Sequence, residues 1–150
     1  MEVTFKYLSP EKIKADLLAF PVREKRLEEP VLRRLDRLLG GNLSQQIRKN
    51  KFTGAEGSIL LHSTAGKLGA PHLLLVGMGK EQETEIDLWR RAGARAHKEA
   101  GSLAAESLAF FLPAPSEAEK ALQAVVEGAV LNSYRFDRYR SEKNSRPSLK

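Results

Sequence analysis

Short segments in which apolar residues alternate with polar ones, or run without interruption, predict β-strands along this chain. They lie at Val3–Tyr7, Asp16–Val22, Gly57–His62, His72–Val76 and Ser107–Leu112. Pro21 is expected to end the second segment, and Gly77-Met78-Gly79-Lys80 is expected to end the fourth. The fourth and fifth segments are almost wholly apolar, which indicates strands that are covered on both faces.

Between these strands, apolar residues recur at helical spacing and predict helices. A short helix is expected at Ser9-Pro10-Glu11, and one or two turns are expected at Asn42–Arg48. Longer helices are predicted over Pro30–Leu39, over Thr84–Ala100, and onward from a capping box at Ser116–Glu119.

Each long helix has an expected apolar face. The expected apolar positions are Val31, Leu35 and Leu38, with Leu32 and Leu39 beside them, in the first; Ile86, Trp89, Gly93, Ala96 and Ala100 in the second; and Ala118, Leu122, Val125 and Ala129 in the third. Gly40-Gly41 and Gly101 are expected to stop the first and second helices, because glycine enters the left-handed conformation without steric cost.

The alternation of strands and helices predicts an α/β domain built on a mixed, mostly parallel sheet with helices on both faces. The length of 150 residues suits one ordinary domain. Residues 1–140 are assigned to that domain. Residues 141–150 are polar and interrupted by Pro147, so they are interpreted as a linker.

Composition narrows the class of protein. The chain has no cysteine, which excludes disulfides and thiolate metal sites and fits the cytoplasm. Its start lacks the basic and apolar regions of a signal peptide, and no apolar run approaches the ~20 residues that a membrane span needs. We therefore expect a soluble, cytoplasmic protein without a membrane partner.

The net charge of +6 is unevenly distributed along the chain. Residues 23–51 carry a net +5 and residues 134–150 a net +4, whereas residues 52–133 carry a net −3. A nucleic-acid reader more often concentrates Lys and Arg on one face with aromatic residues between them. The basic segments are therefore interpreted first as a solvated helix face and a solvated tail.

The sequence contains no evident catalytic or metal-binding constellation. His62 lies late in a predicted strand, His72 enters the next strand, and His97 lies on a helix. No two of them share a helical turn, and the zinc motif His-Glu-x-x-His is absent. The serine-nucleophile motif Gly-x-Ser-x-Gly is absent as well.

Gly77-Met78-Gly79 follows a strand and precedes a helix, as phosphate-binding loops do. Gln82 stands where the dinucleotide fingerprint needs a third glycine, and Glu81 stands where the Walker motif needs Ser or Thr. The carboxylate pairs Glu83/Glu85 and Glu117/Glu119 lie at predicted helix starts, where the helix dipole accounts for them. We therefore assign no catalytic, cofactor-binding or metal-binding residue to this chain.

Three stretches resemble the amino-terminal domain of the leucine aminopeptidase (cytosol aminopeptidase) family. Phe52–Gly57, before a predicted strand, is similar to the family's Phe-x-Gly-x-x-Gly. Leu73–Glu81, leading into Asp87–Gly93, resembles the family's "LLVGLGK" strand and the helix behind it. Val126–Tyr139 resembles the family's "EG-x-x-L-x-x-Y-x-F-x-x-Y" segment. The order of the three stretches makes the resemblance specific over about residues 1–142.

The resemblance implies a macro-domain-like three-layer fold and a chemistry that lies elsewhere. In the whole enzymes, a following domain holds two divalent metal ions, zinc or manganese, which activate the water that attacks the peptide bond beside a free amino terminus. The family signature Asn-Thr-Asp-Ala-Glu-Gly-Arg does not occur in this chain, so no residue is carried over as catalytic or metal-binding.

The function that the resemblance implies is that of a non-catalytic amino-terminal domain of a cytosolic leucyl aminopeptidase, serving assembly and substrate access. Its expected partners are its own catalytic domain, which is expected to follow the linker and is absent from this chain, and the sister subunits of a homo-hexamer. Two alternatives stay open: a stand-alone macro-like module that binds ADP-ribose or a related nucleotide, and DNA binding through residues 23–51.

Overall fold

The computed structural model describes residues 9–80, 86–112 and 118–143, with the backbone alone described at 118 and 134–143. Its strands are β1 (Leu17–Arg23), β2 (Ile59–Ser63), β3 (His72–Gly79) and β4 (Leu108–Phe110). Its helices are α1 (Pro30–Leu38), α2 (Asn42–Lys49), α3 (Ile86–Ser102) and α4 (Ala118–Lys143), with a 3₁₀ turn at Pro10–Lys12.

The strands form a sheet in the order β2-β3-β1-β4. β1 runs parallel to both β3 and β4, whereas β2 pairs antiparallel with β3. This arrangement confirms the predicted mixed, mostly parallel sheet.

The central strands supply two hydrophobic cores, because successive residues of a strand face opposite sides of the sheet. Leu17 and Ala19 of β1 lie in the core beneath α3 and α4, while Leu18 and Phe20 lie in the core beneath α1 and α2. In β3, Leu73–Val76 are 0% exposed. Burying one large aliphatic side chain contributes roughly 1.5–3 kcal/mol, so both helical layers stabilise the sheet. The predicted three-layer α/β architecture is confirmed.

Pro21 lies inside β1, so the prediction that it ends the strand is wrong. The Leu17 amide donates to the Ser107 carbonyl (3.3 Å), and the Ala19 carbonyl accepts from the Phe111 amide (2.9 Å). Alternate residues point the same way, so Pro21 also directs its nitrogen toward the β4 side. β4 pairs with β1 only as far as Ala19. The missing N–H of Pro21 therefore removes no hydrogen bond from the β1–β4 ladder.

α1 buries three of the five residues of its predicted apolar stripe. Leu32, Leu35 and Leu39 are buried, whereas Val31 is half-buried and Leu38 is 44% exposed. Both sets have helical spacing and both contain Leu35, so the periodicity of the sequence does not choose between them. Packing of Leu32, Leu35 and Leu39 against the sheet determines which set is buried.

The helix ends agree only in part with their predicted positions. Gly40 and Gly41 follow α1 with φ of +71° and +83°, which confirms the first predicted stop. Gly101 lies inside α3, which ends at Ser102, so the second predicted stop is wrong. Ala104 adopts the left-handed conformation beyond that helix instead, with φ of +55°.

The expected apolar faces of α3 and α4 are largely confirmed. The expected residues that are buried are Trp89, Gly93, Ala96, Ala100, Val125 and Ala129. Ile86 is 37% exposed, and Leu122 is half-buried.

Several predictions fall wholly or partly outside the described residues. These are the strand Val3–Tyr7, the start of the second long helix at Thr84, the capping box that begins at Ser116, and residues 144–150 of the expected linker. α4 continues through Lys143, so residues 141–143 of that expected linker are helical.

α3 and α4 cross at a close approach that two glycines permit. A Cβ built at Gly93 would overlap with the carbonyl oxygen of Val125, and one at Gly128 would overlap with the carbonyl oxygen of Arg90. Each glycine leaves room for the backbone of the other helix. Beside this crossing, Arg90 donates to Glu127 Oε2 from Nε (3.2 Å) and from Nη2 (3.0 Å).

Replacing Gly128 with alanine is expected to separate α3 from α4, because the added methyl group meets backbone that cannot rotate away. The expected loss is on the order of 2 kcal/mol of the free energy of unfolding, even though alanine favours helix. Urea denaturation measures it. Lys98→Ala, at an exposed position of α3, is the control and should stay within about 0.5 kcal/mol of the unsubstituted chain. A Gly128→Ala chain as stable as that control would contradict the close approach.

Candidate functional site

The carboxyl ends of the parallel strands form the edge at which open α/β sheets bind ligands. β1 ends at Arg23 and β3 ends at Gly79, and these two residues are paired across a β-bulge. β3 includes Gly77 and Met78 and ends at Gly79, so the strand ends within the predicted Gly77–Lys80 stretch, three residues later than Val76. This stretch lies at the edge where a phosphate-binding loop would lie.

The chain's own loop 52–58 lies against these glycines. The Gly77 amide donates to the Ser58 carbonyl (2.8 Å), and the Gly79 amide donates to the Gly54 carbonyl (2.9 Å). A Cβ built at Gly77 would overlap with the carbonyl oxygen of Ala55. These glycines therefore accommodate the loop, and the amides that would cradle a phosphate already have protein acceptors.

Ion pairs fix the same loop to α3. Glu56 Oε1 lies 3.0 Å from Arg91 Nε and 3.5 Å from Arg95 Nη2. The spacing of Arg91 and Arg95 places both on one side of the helix, which the sequence does indicate. Their partner is 35 positions away in the sequence for Arg91, and no motif predicts that contact.

A second set of contacts closes the edge between β1 and α3. The Arg23 guanidinium carbon lies 5.8 Å from the centroid of the Trp89 ring, a cation–π distance. Arg23 Nη1 donates to the Met78 carbonyl (3.4 Å), and the Glu24 amide donates to the Gly79 carbonyl (2.9 Å). The carboxyl ends of β1 and β3 are thus covered by the protein's own backbone and side chains.

The three histidines lie in different parts of the fold, as the sequence indicated. His62 is buried in β2, His72 is the first residue of β3, and His97 is buried in α3. His62 Nδ1 donates to Gln46 Oε1, and Asn132 Nδ2 donates to His97 Nδ1 (2.8 Å). These two histidines join α2 to the sheet and α4 to α3, respectively.

A polar network that motif analysis missed connects α1, α2 and β2. The Asp36 carboxylate accepts hydrogen bonds from the Ser44 amide (2.9 Å) and from the Ser44 hydroxyl. Gly41, at the N-cap of α2, has no side chain, so Asp36 of α1 satisfies an otherwise unbonded amide of the first turn. Gln46 then donates to the Leu61 carbonyl (2.9 Å). The network contains Ser, His and Asp but lacks the serine–histidine bond of a nucleophilic triad.

The pKa values of His62 and Glu127 are shifted from their ordinary values. Burial lowers the pKa of His62 below its ordinary 6.5, and this effect outweighs the attraction of Asp36, which raises it. The hydrogen bonds from Arg90 and then from Gln123 lower the pKa of Glu127. Both shifts have structural causes at helix contacts, away from the carboxyl edge of the sheet.

The basic segment 23–51 spans the end of β1 together with α1 and α2. Arg23 contacts Trp89, and Arg34 Nη2 lies 3.2 Å from Glu11 Oε2. The exposed cations of the segment are Lys25, Arg26, Arg33, Arg37, Arg48, Lys49 and Lys51.

The described residues contain neither a group of metal ligands nor a helix that could span a membrane. Within 9–80, 86–112 and 118–143, no three His, Asp or Glu side chains are grouped so that they could hold a metal ion. No helix in the same ranges has the length and apolar character required to cross a membrane.

Comparison with known proteins identifies the family that this chain resembles. The model of the cytosol aminopeptidase family, N-terminal domain, matches residues 19–143. A protein of Persephonella marina named "Probable cytosol aminopeptidase" is 34% identical over 148 residues, which cover 96% of this chain and 30% of that protein. A protein of the same name from Aquifex aeolicus is 33% identical over 113 residues, which cover 75% of this chain and 23% of that protein.

Solved structures agree with this result. A tomato leucine aminopeptidase mutant matches with a TM-score of 0.74 at 25% identity, covering 85% of this chain and 27% of that one. The bottromycin maturation enzyme BotP in complex with Mn matches with a TM-score of 0.61 at 26% identity, covering 85% of this chain and 25% of that one.

These matches define an α/β domain shared with much longer aminopeptidases. The chain belongs to the cytosol aminopeptidase family and corresponds to that family's N-terminal domain. The resemblance seen in the sequence is therefore confirmed. This chain spans about 30% of the length of the Persephonella marina relative.

Acid is expected to destabilise the domain through His62. Because its pKa is lowered in the folded state, the unfolded chain binds a proton here first as the pH falls. The stabilising contribution is complete above about pH 6.5 and is lost as the pH falls through the lowered pKa. Thermal melts between pH 7.5 and 5 measure it. His62→Gln should reduce this pH dependence, whereas the matched variant His72→Gln should retain it; equal slopes in all three chains would contradict the assignment.

We expect that ADP-ribose does not bind to this chain, because the amides of Gly77 and Gly79 already donate to the carbonyls of Ser58 and Gly54. Calorimetric titration should give no one-to-one isotherm. The glycine amide signals in a nitrogen–proton NMR spectrum should also stay in place during the titration. A clear isotherm with displaced signals for Gly77 and Gly79 would favour the nucleotide-binding alternative.

Proposed function

We propose that this chain acts as the non-catalytic amino-terminal domain of a cytosolic leucyl aminopeptidase and serves subunit assembly and substrate access. The observation that carries the proposal is the family match over residues 19–143, together with relatives of which this chain spans less than a third. In such relatives the larger part of the polypeptide lies outside the region that this chain resembles.

The chemistry of the described residues supports a role through surface contacts. The amides at the carboxyl edge donate to loop 52–58. The buried His62 and His97 contact neighbouring helices, and Glu56 and Glu127 are paired with arginines. Each of these groups therefore has a partner within the fold, and the described residues offer no grouped ligands for a metal ion.

The activity of the whole protein is proposed from its family. The parent would hydrolyse amino-terminal residues, preferably leucine, with two divalent metal ions, zinc or manganese, as a homo-hexamer. The similar BotP structure is a complex with Mn, which supports a metal-dependent parent. The ligands of those metals would belong to the catalytic domain, because the described part of this chain groups no suitable side chains.

The other functions considered from the sequence have less support. Nucleotide binding would need the amides that loop 52–58 occupies. DNA binding through residues 23–51 has no support in the relatives and structures named above, whose names describe aminopeptidases and a maturation enzyme.

The proposal is tested by a chimera in which residues 1–150 replace the matching region of the Persephonella marina protein. The chimera is expected to hydrolyse leucine p-nitroanilide in the presence of manganese or zinc and to keep the oligomeric state of the parent. A version lacking the domain is the control and should assemble poorly. Size-exclusion chromatography with light scattering and the hydrolysis rate are the measurements.

The isolated chain should hydrolyse nothing under the same conditions. Turnover by this chain alone, after removal of contaminating enzyme, would overturn the proposed non-catalytic role. A chimera that neither folds nor assembles, beside an active parent, would overturn the proposed domain function.

A further inference from the structure

β4 lies at the edge of the sheet, yet its residues have the apolar character of an interior strand. It pairs with β1 over Leu108–Phe110 and has no neighbour on its other side among the described residues. Its residues and the two that follow pack alternately against both hydrophobic cores. Residues 108–112 are all only half-buried, whereas Leu73–Val76 of β3 are 0% exposed. A strand that is apolar on both faces is typical of the interior of a parallel sheet.

The hydrogen bonds of β4 show which of its backbone groups point away from β1. The Ser107 carbonyl accepts from the first amide of β1 (3.3 Å), and the Phe111 amide donates to a β1 carbonyl (2.9 Å). Successive residues of a strand direct their backbone groups to opposite sides, so the N–H and C=O groups of Leu108 and Phe110 point to the outer edge. A further strand at this edge would bond to these four groups.

The opposite edge of the sheet, at β2, is partly closed by a side chain. The Ser58 carbonyl accepts from β3, and the Thr64 amide donates to Pro71 at the start of β3. By the same alternation, the backbone of Leu61 points away from β3. Its carbonyl accepts a hydrogen bond from Gln46 Nε2 of α2 (2.9 Å). The sheet is therefore more readily extended beside β4 than beside β2.

The two helices on one face of the sheet indicate the direction in which the sheet continues. α3 connects β3 to β4, which are parallel and separated by β1. Connections between parallel strands of one sheet are right-handed in about 98% of cases. α4 follows β4 on the same face, because residues of both helices belong to one hydrophobic core. A right-handed connection through α4 therefore leads further in the same direction, to the free edge of β4.

α4 runs in the direction that such a connection requires. Val125 of α4 lies against Gly93 of α3, and further along both helices Asn132 donates to His97. The two helices therefore run side by side in the same sense. Since α3 leads from the carboxyl end of β3 to the amino end of β4, α4 leads back toward the amino ends of the parallel strands. A strand that starts there and returns along β4 is parallel to it.

The relatives contain polypeptide that could form such a strand. The family's N-terminal domain matches residues 19–143, which end with α4. This chain spans 30% of the Persephonella marina protein, and the shared region is the N-terminal domain of the family. Most of that relative therefore follows the region equivalent to α4.

We infer that the free edge of β4 binds a strand from the polypeptide that follows α4 in the parent aminopeptidase, parallel to β4 and hydrogen-bonded to Leu108 and Phe110. This inference rests on the proposed function. The added strand would cover the half-buried residues of β4 and extend both hydrophobic cores. The sheet itself would then connect this domain with the rest of the subunit.

Hydrogen exchange at single amides of β4 tests the inference, because it reports each backbone bond separately. The isolated chain is compared with the chimera in which residues 1–150 replace the matching region of the Persephonella marina protein. The amides of Leu108 and Phe110 should exchange at least about tenfold more slowly in the chimera. The Phe111 amide donates to β1 and is the internal control, whose exchange should change little.

Two substitutions at Leu108 separate the backbone bond from side-chain packing. Leu108→Pro removes the outward N–H, whereas the matched control Leu108→Ala shortens the side chain and keeps that N–H. In the chimera, Leu108→Pro should accelerate exchange at Phe110 by about tenfold, and Leu108→Ala should accelerate it by less than about threefold. Equal acceleration by both would contradict a backbone bond here. The comparison of the unsubstituted proteins stands by itself if either variant fails to fold.

The outcomes separate this inference from the proposed function. Slower exchange at both amides in the chimera alone supports the added strand. Fast exchange in both proteins overturns it, because the edge would then face water, and leaves the proposed function intact.

Slow exchange in the isolated chain would overturn the inference as well. Protection at every dilution would mean that the chain covers the edge with its own residues, such as the predicted strand Val3–Tyr7. Protection at high concentration alone would mean that a second copy covers it. A chimera that does not fold, beside a folded parent, would remove the proposed function together with the added strand.

Discussion

Burial of β3 from Leu73 to Gly79 is the constraint on which the rest of this fold depends. Leu73–Val76 are 0% exposed, with β2 on one side, β1 on the other and a hydrophobic core against each face. A strand in this position must hydrogen-bond its whole backbone and carry apolar side chains throughout. The two helical layers follow from it, because removing either would expose one of the cores to water.

The same constraint explains why the carboxyl edge of the sheet holds no evident ligand site among the described residues. β3 continues through Gly77 and Gly79, whose amides donate to Ser58 and Gly54. The glycines are required there because a protein backbone passes over them. A glycine-rich strand end is therefore ambiguous in sequence, since close approach of a phosphate and close approach of a loop both require the absence of Cβ.

The sequence predicted the order of elements and the sheet type because those features depend on local periodicity. It did not distinguish Leu32 and Leu39 from Val31 and Leu38 on α1, since both sets have helical spacing. The contacts of Asp36 with Ser44 and of Glu56 with Arg91 join separate elements, and no local pattern encodes them. The family was identified from the resemblance, which rests on the identity and order of three motifs. The spacing of apolar residues carries no such information.

Pro21 has a consequence for substitutions in the middle of β1. Its nitrogen faces the side of β4, whose pairing with β1 ends at Ala19, and Pro21 itself is buried. Any other residue at position 21 would place an amide N–H in the interior with no ladder partner opposite it, and an unpaired buried donor destabilises a fold. The proline avoids this cost, because it has no N–H.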